Sequence, residues 1–317
     1  MVLRGINAAV VMLAVAITTL ADESSAITAI KKLDGTIYRD YEIAGEPVVE
    51  VSLVGASVTD DALIHLKEFK QLRAAHLNGT NVTDIGLKEL KGLKQLVDLS
   101  LDDTAVTDRG LKEFTQLDNL SSLYLSGTKV TDLGLKTISN LNGLSSLYLS
   151  RTRVTDAGVR ELKNKVGLRI LTLADTRVTD AGVRELKKIT TLRALILDNT
   201  QVTDAGLRYF KQFKNLTRLS LSGTKVTDAG LIRLKSIRDL ETLELDGTLV
   251  SDAGLESIKN LINLKEIDLR NTSVTDAGLK NIENLKQLTT LNLNGSQVTA
   301  TGVEQLRRAL PKCDISH

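Results

Sequence analysis

The chain has 317 residues, 42% hydrophobic and 25% charged, the balance of a folded chain with room for one large domain or two ordinary ones. Lys+Arg 41 against Asp+Glu 39 gives a formal net charge of +2, which excludes a bulk electrostatic case for nucleic acid. A single cysteine, Cys313, excludes an internal disulfide, and an aromatic share of 3% with no Trp leaves the core to Leu, Val and Ile.

The first element is apolar. Arg4 precedes an uncharged run from about Ala8 to Leu20, and the chain turns polar at Asp22. This is the three-part layout of a secretory signal, with small residues for cleavage at Thr19-Leu20-Ala21 or at Ser24-Ser25-Ala26. The run is shorter than the about 20 residues a transmembrane helix needs. Residues 1–21 are therefore read as a signal peptide, with an uncleaved anchor as the alternative. The expectation is an exported protein (periplasmic, cell envelope or extracellular) with no stable membrane span after cleavage. Residues 22–47 are expected to form a lead-in and N-terminal cap, with a helical turn at Ala26–Leu33. Thr36–Glu50 carries Tyr38, Tyr41 and Pro47, and seals the start of the main body with a strand or hairpin.

From residue 48 the chain repeats itself. TRVTDAGVREL occurs at Thr152–Leu162 and again at Thr176–Leu186, and its Val recurs every 24 residues from Val58 to Val298 over eleven turns. One turn reads L-x-x-L-x-L-x-x-T-x-V-T-D-A-G-L-x-x-L-x-x-L-x-x, as in Leu216–Asp239. The L-x-L pair, such as Leu219 and Leu221, alternates as a short strand does, and V-T-D-A-G-L starts a helix. Thr as N-cap places Asp at N1, where the helix dipole favours negative charge, and puts Val and Leu at the spacing of a hydrophobic staple. The Asp ladder from Asp60 to Asp276 is thus a set of helix starts rather than metal ligands. Gly is unfavourable inside a helix, so it is expected to permit close approach of the neighbouring turn.

These turns resemble the leucine-rich-repeat family, especially exported bacterial members whose turns read T-x-V-T-D-A-G-L. The resemblance covers about Val48–Leu310 and implies an α/β fold: a right-handed horseshoe solenoid with a parallel β-sheet on the concave face and helices on the convex face. Residues 48–310 would form eleven turns and 311–317 the C-terminal cap end, with Cys313 packed into it. One departure is Thr where many such repeats carry Asn after the strand, from Thr80 to Thr272; this hydroxyl ladder offers bonds to backbone between turns. The turns also resemble those of F-box substrate receptors, but no F-box segment precedes them. Ribonuclease inhibitor shares the architecture, though this chain lacks its cysteines and its longer turns.

The family resemblance places function on outward strand residues of the concave face, which fall into columns. In the middle, Tyr124 and Tyr148 are neighbours, ringed by Ser and followed by Ile170 and Ile196, with Arg151, Arg153 and Arg177 beside them. That is the composition of a protein-binding hot spot; the alternative is that the two rings stack on each other and merely solvate the face. Toward the C-terminus, Glu244, Asp246, Glu266 and Asp268 form an acidic patch, read as a solvated face ahead of a site for a basic partner or calcium. His76, Ser100, Asp98 and Asp102 supply the residue types of a nucleophile, base and orienter on a broad face with no evident oxyanion donor. No catalytic residue, metal or cofactor is assigned. Lys on the helix side, as in Lys88–Leu96, reads as a solvated convex surface. The expectation is a monomeric, non-enzymatic scaffold for an unidentified protein partner, with no nucleic acid bound. A structural envelope protein without a specific ligand is the alternative.

Overall fold

The structure, a computed structural model, describes residues 23–317 with the exception of Ala56. The expected signal peptide, residues 1–21, lies outside the described residues. A 13-stranded sheet runs in strict sequence order: β1 (Thr36–Arg39), β2 (Val48–Ser52), β3 (Ala74–His76), β4 (Asp98–Ser100), β5 (Ser122–Tyr124), β6 (Ser146–Tyr148), β7 (Ile170–Thr172), β8 (Ala194–Ile196), β9 (Arg218–Ser220), β10 (Thr242–Glu244), β11 (Glu266–Asp268), β12 (Thr290–Asn292) and β13 (Asp314–Ser316). β1 pairs antiparallel with β2, with a register shift between Tyr38 and Arg39; the later pairs are all parallel. Ahead of the sheet a helix covers residues 23–32 and buries Ala26 and Ile30.

The fold is a right-handed leucine-rich-repeat solenoid. No single turn buries its own apolar face, so successive turns stack Leu on Leu. The inward Leu123, Leu147, Leu171 and Leu195 are each fully buried, as are Val130, Val154 and Val178 at the helix entries. All four Phe residues, Phe69, Phe114, Phe210 and Phe213, lie in the same core. Neighbouring strands sit about 4.8 Å apart, whereas packed helices need about 8–10 Å. The turns therefore fan open on the helical side, which leaves the sheet lining the concave face.

The helix entries follow the capping logic and add a second bond set. In Asp156–Glu161 and Asp180–Leu186 the preceding Thr is the N-cap; Thr179 Oγ1 accepts from Ala181 N–H at 3.1 Å. The same hydroxyl donates to Asp156 Oδ2 of the previous turn at 2.7 Å, while Asp156 Oδ1 accepts Thr179 N–H at 2.8 Å. This pair of bonds recurs from Asp60–Thr83 to Asp276–Thr299. Each Asp is thus both a helix start and a lateral clamp. The Gly two residues on is what the clamp requires: a Cβ at Gly158 would lie 2.5 Å from Asp132 Oδ1.

Three expectations change in detail. The post-strand Thr hydroxyls do not bond between turns. Thr104 Oγ1 donates to Leu101 O of its own turn at 2.7 Å, and Thr152 Oγ1 to Leu149 O at 2.6 Å. Each sits buried under the bend within reach of its own strand's carbonyl, while backbone amides such as Gly127 N–H to Ser150 O at 2.8 Å link the turns. Secondly, Gly86–Gly92 and Gly110–Gln116 are 3₁₀ helices. A seven-residue segment gains little from α-helical cooperativity, so either winding serves once the cap and buried Leu are placed. Lastly, the solvated-lysine reading fails at Lys165, which is buried where neighbouring turns place Leu141 and Ile189.

Candidate functional site

The parallel register sets the site. Tyr124 pairs with Tyr148, Ser122 with Ser146, and Ser100 with Tyr124, so side chains of one column stand side by side on the concave face. The Tyr124 and Tyr148 rings stack with centroids 4.2 Å apart and planes within 6°. Both are half-buried among small Ser residues. Burial, followed by the neighbouring Asp98 charge, pushes the Tyr124 hydroxyl up to about 12, so it remains a neutral donor.

The other central candidates lie at different distances from that stack. Thr172 follows Tyr148 in its column and Ile196 follows Thr172. Ile170 pairs with Ser146 in the adjoining column. Both Ile side chains are half-buried on the same face. Arg151 sits at the bend, where its backbone adopts φ +58, in a position that other turns give to Gly, Asn or Asp. Its guanidinium reaches over Gly127 to Asp103, two turns back, at 3.0 Å. Arg153 and Arg177 are exposed on the segment leading into the helix, and no ring contact or ion pair joins them to the tyrosines among the described residues. The structure therefore gathers Tyr124, Tyr148, Ile170 and Ile196 on one face, puts Arg151 at its edge, and separates Arg153 and Arg177 from it.

The N-terminal zone holds a feature that the sequence did not mark as a cavity. An open depression of about 540 Å³ is lined by Val54, Gly55, His76, Asn78, Gly79, Ser100, Asp102, Asp103 and Tyr124. His76 stands between two carboxylates, Nε2 at 3.6 Å from Glu50 and Nδ1 at 3.9 Å from Asp98. Asp98 Oδ1 is buried with no hydrogen-bond partner, and burial raises the Asp98 carboxyl above its ordinary range, opposed by His76. Burial also raises Asp102, although its Oδ1 accepts Ser126 N–H at 2.6 Å. Ser100 is buried and no hydrogen bond joins it to His76. The available signal was the small Ser100 between His76 and Tyr124 in one column, which leaves a gap wherever its neighbours are large.

The C-terminal acidic patch is partly neutralised from within: two arginines face its four carboxylates, and Glu266 is left with a hydrogen bond from Thr242. Arg218 pairs with Glu244 at 2.5 Å, and Arg270 with Asp268 at 2.8 Å and Asp246 at 3.2 Å. Those pairs hold the Asp268–Arg270 unit together and raise the Arg270 guanidinium. No group of residues among those described is arranged to hold a metal ion. No described helix is long and apolar enough to cross a membrane.

A continuous parallel sheet with exposed columns and a shared core defines a repeat scaffold. The family model described as "Leucine-rich repeat region" matches residues 51–229, and the chain belongs to that family. Among solved structures, an internalin (inlF) from Listeria monocytogenes is similar at 20% identity and a TM-score of 0.65, covering 93% of this chain and 94% of that one. An internalin C2 from the same organism matches at 28% identity and a TM-score of 0.51, over 67% of this chain and 84% of that one. No curated protein matches significantly.

Proposed function

We propose that the protein is an exported, non-enzymatic scaffold that binds a protein partner through its concave face. The observation that carries this reading is the Tyr124–Tyr148 stack, held on a floor of small Ser side chains. Two pre-stacked rings present large contact area with little rotamer freedom left to lose, which is what interface centres select. Ile170 and Ile196 extend that area and Arg151 supplies an edge charge, with Arg153 and Arg177 as outer contacts. Export rests on the layout of residues 1–21.

The test is capture from the envelope and culture medium of the source organism, using the chain from Asp22 beside the Tyr124→Ala, Tyr148→Ala variant. A partner retained only by the unmutated protein is the expected result. Equal retention by both moves the site off this face. The near-identity of the turns, such as the doubled TRVTDAGVREL, favours a second reading, a structural envelope protein without a specific ligand. Self-association indifferent to concave substitutions is the outcome that would select it.

A further inference from the structure

The concave face contains one slot whose chemistry names its occupant more narrowly. His76, Ser100 and Tyr124 face one another across β3, β4 and β5 in a single column. Two strand spacings put the outer pair about 9.6 Å apart at the backbone. That exceeds the about 7 Å at which two parallel rings clasp a third flat group, so a flat occupant has room to stack on one ring face. The middle residue is Ser100, which is small and buried, so it forms a floor and leaves the gap open. One face of Tyr124 is already covered by Tyr148; the other borders the gap.

The surroundings of the slot are anionic. Asp102 lines it, and Glu50 and Asp98 flank His76 beside it. No Lys or Arg forms an ion pair with these three among the described residues, although Arg151 acts on Asp102 from farther off. Asp103, also at the rim, is matched by Arg151. This separates the zone from the C-terminal acidic patch, where Arg218 and Arg270 supply the counter-charges. An anionic slot walled by rings favours a flat cation. A guanidinium fits on both counts: it stacks on an aromatic face and its forked N–H groups match a carboxylate. An ammonium is compact and leaves the ring walls unfilled.

We propose that the slot between His76 and Tyr124 receives the guanidinium of an arginine side chain of the partner, stacked on Tyr124 and held by Asp102. This deepens, and rests on, the reading of the concave face as a protein-binding surface. A cation there would also compensate Asp98 and Asp102, both of which burial leaves poorly stabilised as anions.

The experiment titrates the full chain with three blocked tripeptides, acetyl-Gly-Xaa-Gly-amide with Xaa arginine, lysine or citrulline, at matched ionic strength. Binding is followed by the ring resonances of His76 and Tyr124. The arginine peptide is expected to bind at least about fivefold more tightly than the lysine or citrulline peptide. Asp102→Asn, which keeps an acceptor for Ser126 N–H, should weaken it about tenfold. Ser100→Leu should abolish binding by filling the slot from its floor, and Asp246→Asn in the other patch should leave it unchanged. Circular dichroism confirms that each variant is folded; should Ser100→Leu not fold, Asp102→Asn and the citrulline peptide decide. Equal affinity for the arginine and citrulline peptides, no saturable binding of the arginine peptide, or indifference to Asp102→Asn each overturns the proposal. If Asp102→Asn retains the captured partner while the double tyrosine variant loses it, the slot assignment falls and the concave-face reading stands.

Discussion

Among individual residues, Lys165 is the most at odds with its surroundings. Successive turns place Leu141, Lys165, Ile189 and Phe213 at one core position, and Lys165 is only 6% exposed. Its Nζ donates to Leu141 O at 2.5 Å, whereas an ammonium carries three donors. Burial lowers the amine from 10.5 to about 8. The folded chain therefore holds this proton less tightly than the unfolded chain does. Between about pH 8 and 10.5 the unfolded state binds more protons, so stability contributed at this position rises with pH across that window. Lys165→Leu should raise stability at neutral pH by about 1–2 kcal/mol, because an apolar side chain replaces a buried charge without a counter-ion. Urea denaturation of both proteins from pH 7 to 10.5 checks this. The gap between them should narrow as pH rises; a constant gap, or a less stable variant, would contradict it.

Among elements, the turn-to-turn unit T-D-x-G joins helix entry, capping and lateral bonding. At Gly158 two effects compete. Alanine is the better helix former by about 1 kcal/mol, but its Cβ would lie 2.5 Å from Asp132 Oδ1 and 3.0 Å from Asp132 Cα. The second contact is backbone and cannot rotate away, so crowding wins and Gly158→Ala should destabilise by about 1–3 kcal/mol. Gly92 is the control. A Cβ there meets nothing within 4 Å, so Gly92→Ala should stabilise by about 0.5 kcal/mol. Denaturant midpoints of the two variants should move in opposite directions; movement of both the same way would refute the clamp account. The sequence made half of this unit legible. Thr and Asp at N-cap and N1 follow from spacing inside one turn, and the Gly cost pointed to a close neighbour. The identity of that neighbour was not legible, because Asp156 and Thr179 meet across 23 positions and only the stacked geometry brings them together. Lys165, by contrast, was legible in the repeat: it falls at the last Leu position of the turn, where Leu216–Asp239 carries Ile237, so a charge stands at an apolar position.

For the whole molecule, the 24-residue period alone dictated a stacked sheet, its register and hence the Tyr124–Tyr148 neighbourhood. The depression beside it was half legible: the column His76, Ser100, Tyr124 sets a small residue between two large ones, but the size of the void depends on how the flanking rings are turned. The sequential strand order has a mechanical consequence: stability is nearly a sum over adjacent turns. A defect at an end and the same defect in the middle should then differ. Ile315 sits in β13 at the sheet's last position and rests on β12 alone, whereas Leu171 in β7 is packed between Leu147 and Leu195. Leu171→Asp buries an unpaired charge against two neighbours and should cost about 4 kcal/mol or more. It should also break the solenoid into two halves that unfold at different urea concentrations. Ile315→Asp removes one terminal contact, and its charge can turn outward to solvent as the end frays. Hydrogen exchange should show lost protection confined to Ala300–Ser316, with the central amides of β5 to β8 unchanged. Protection lost evenly along the chain in Ile315→Asp would mean that the turns fold as one cooperative block, and would overturn the additive picture.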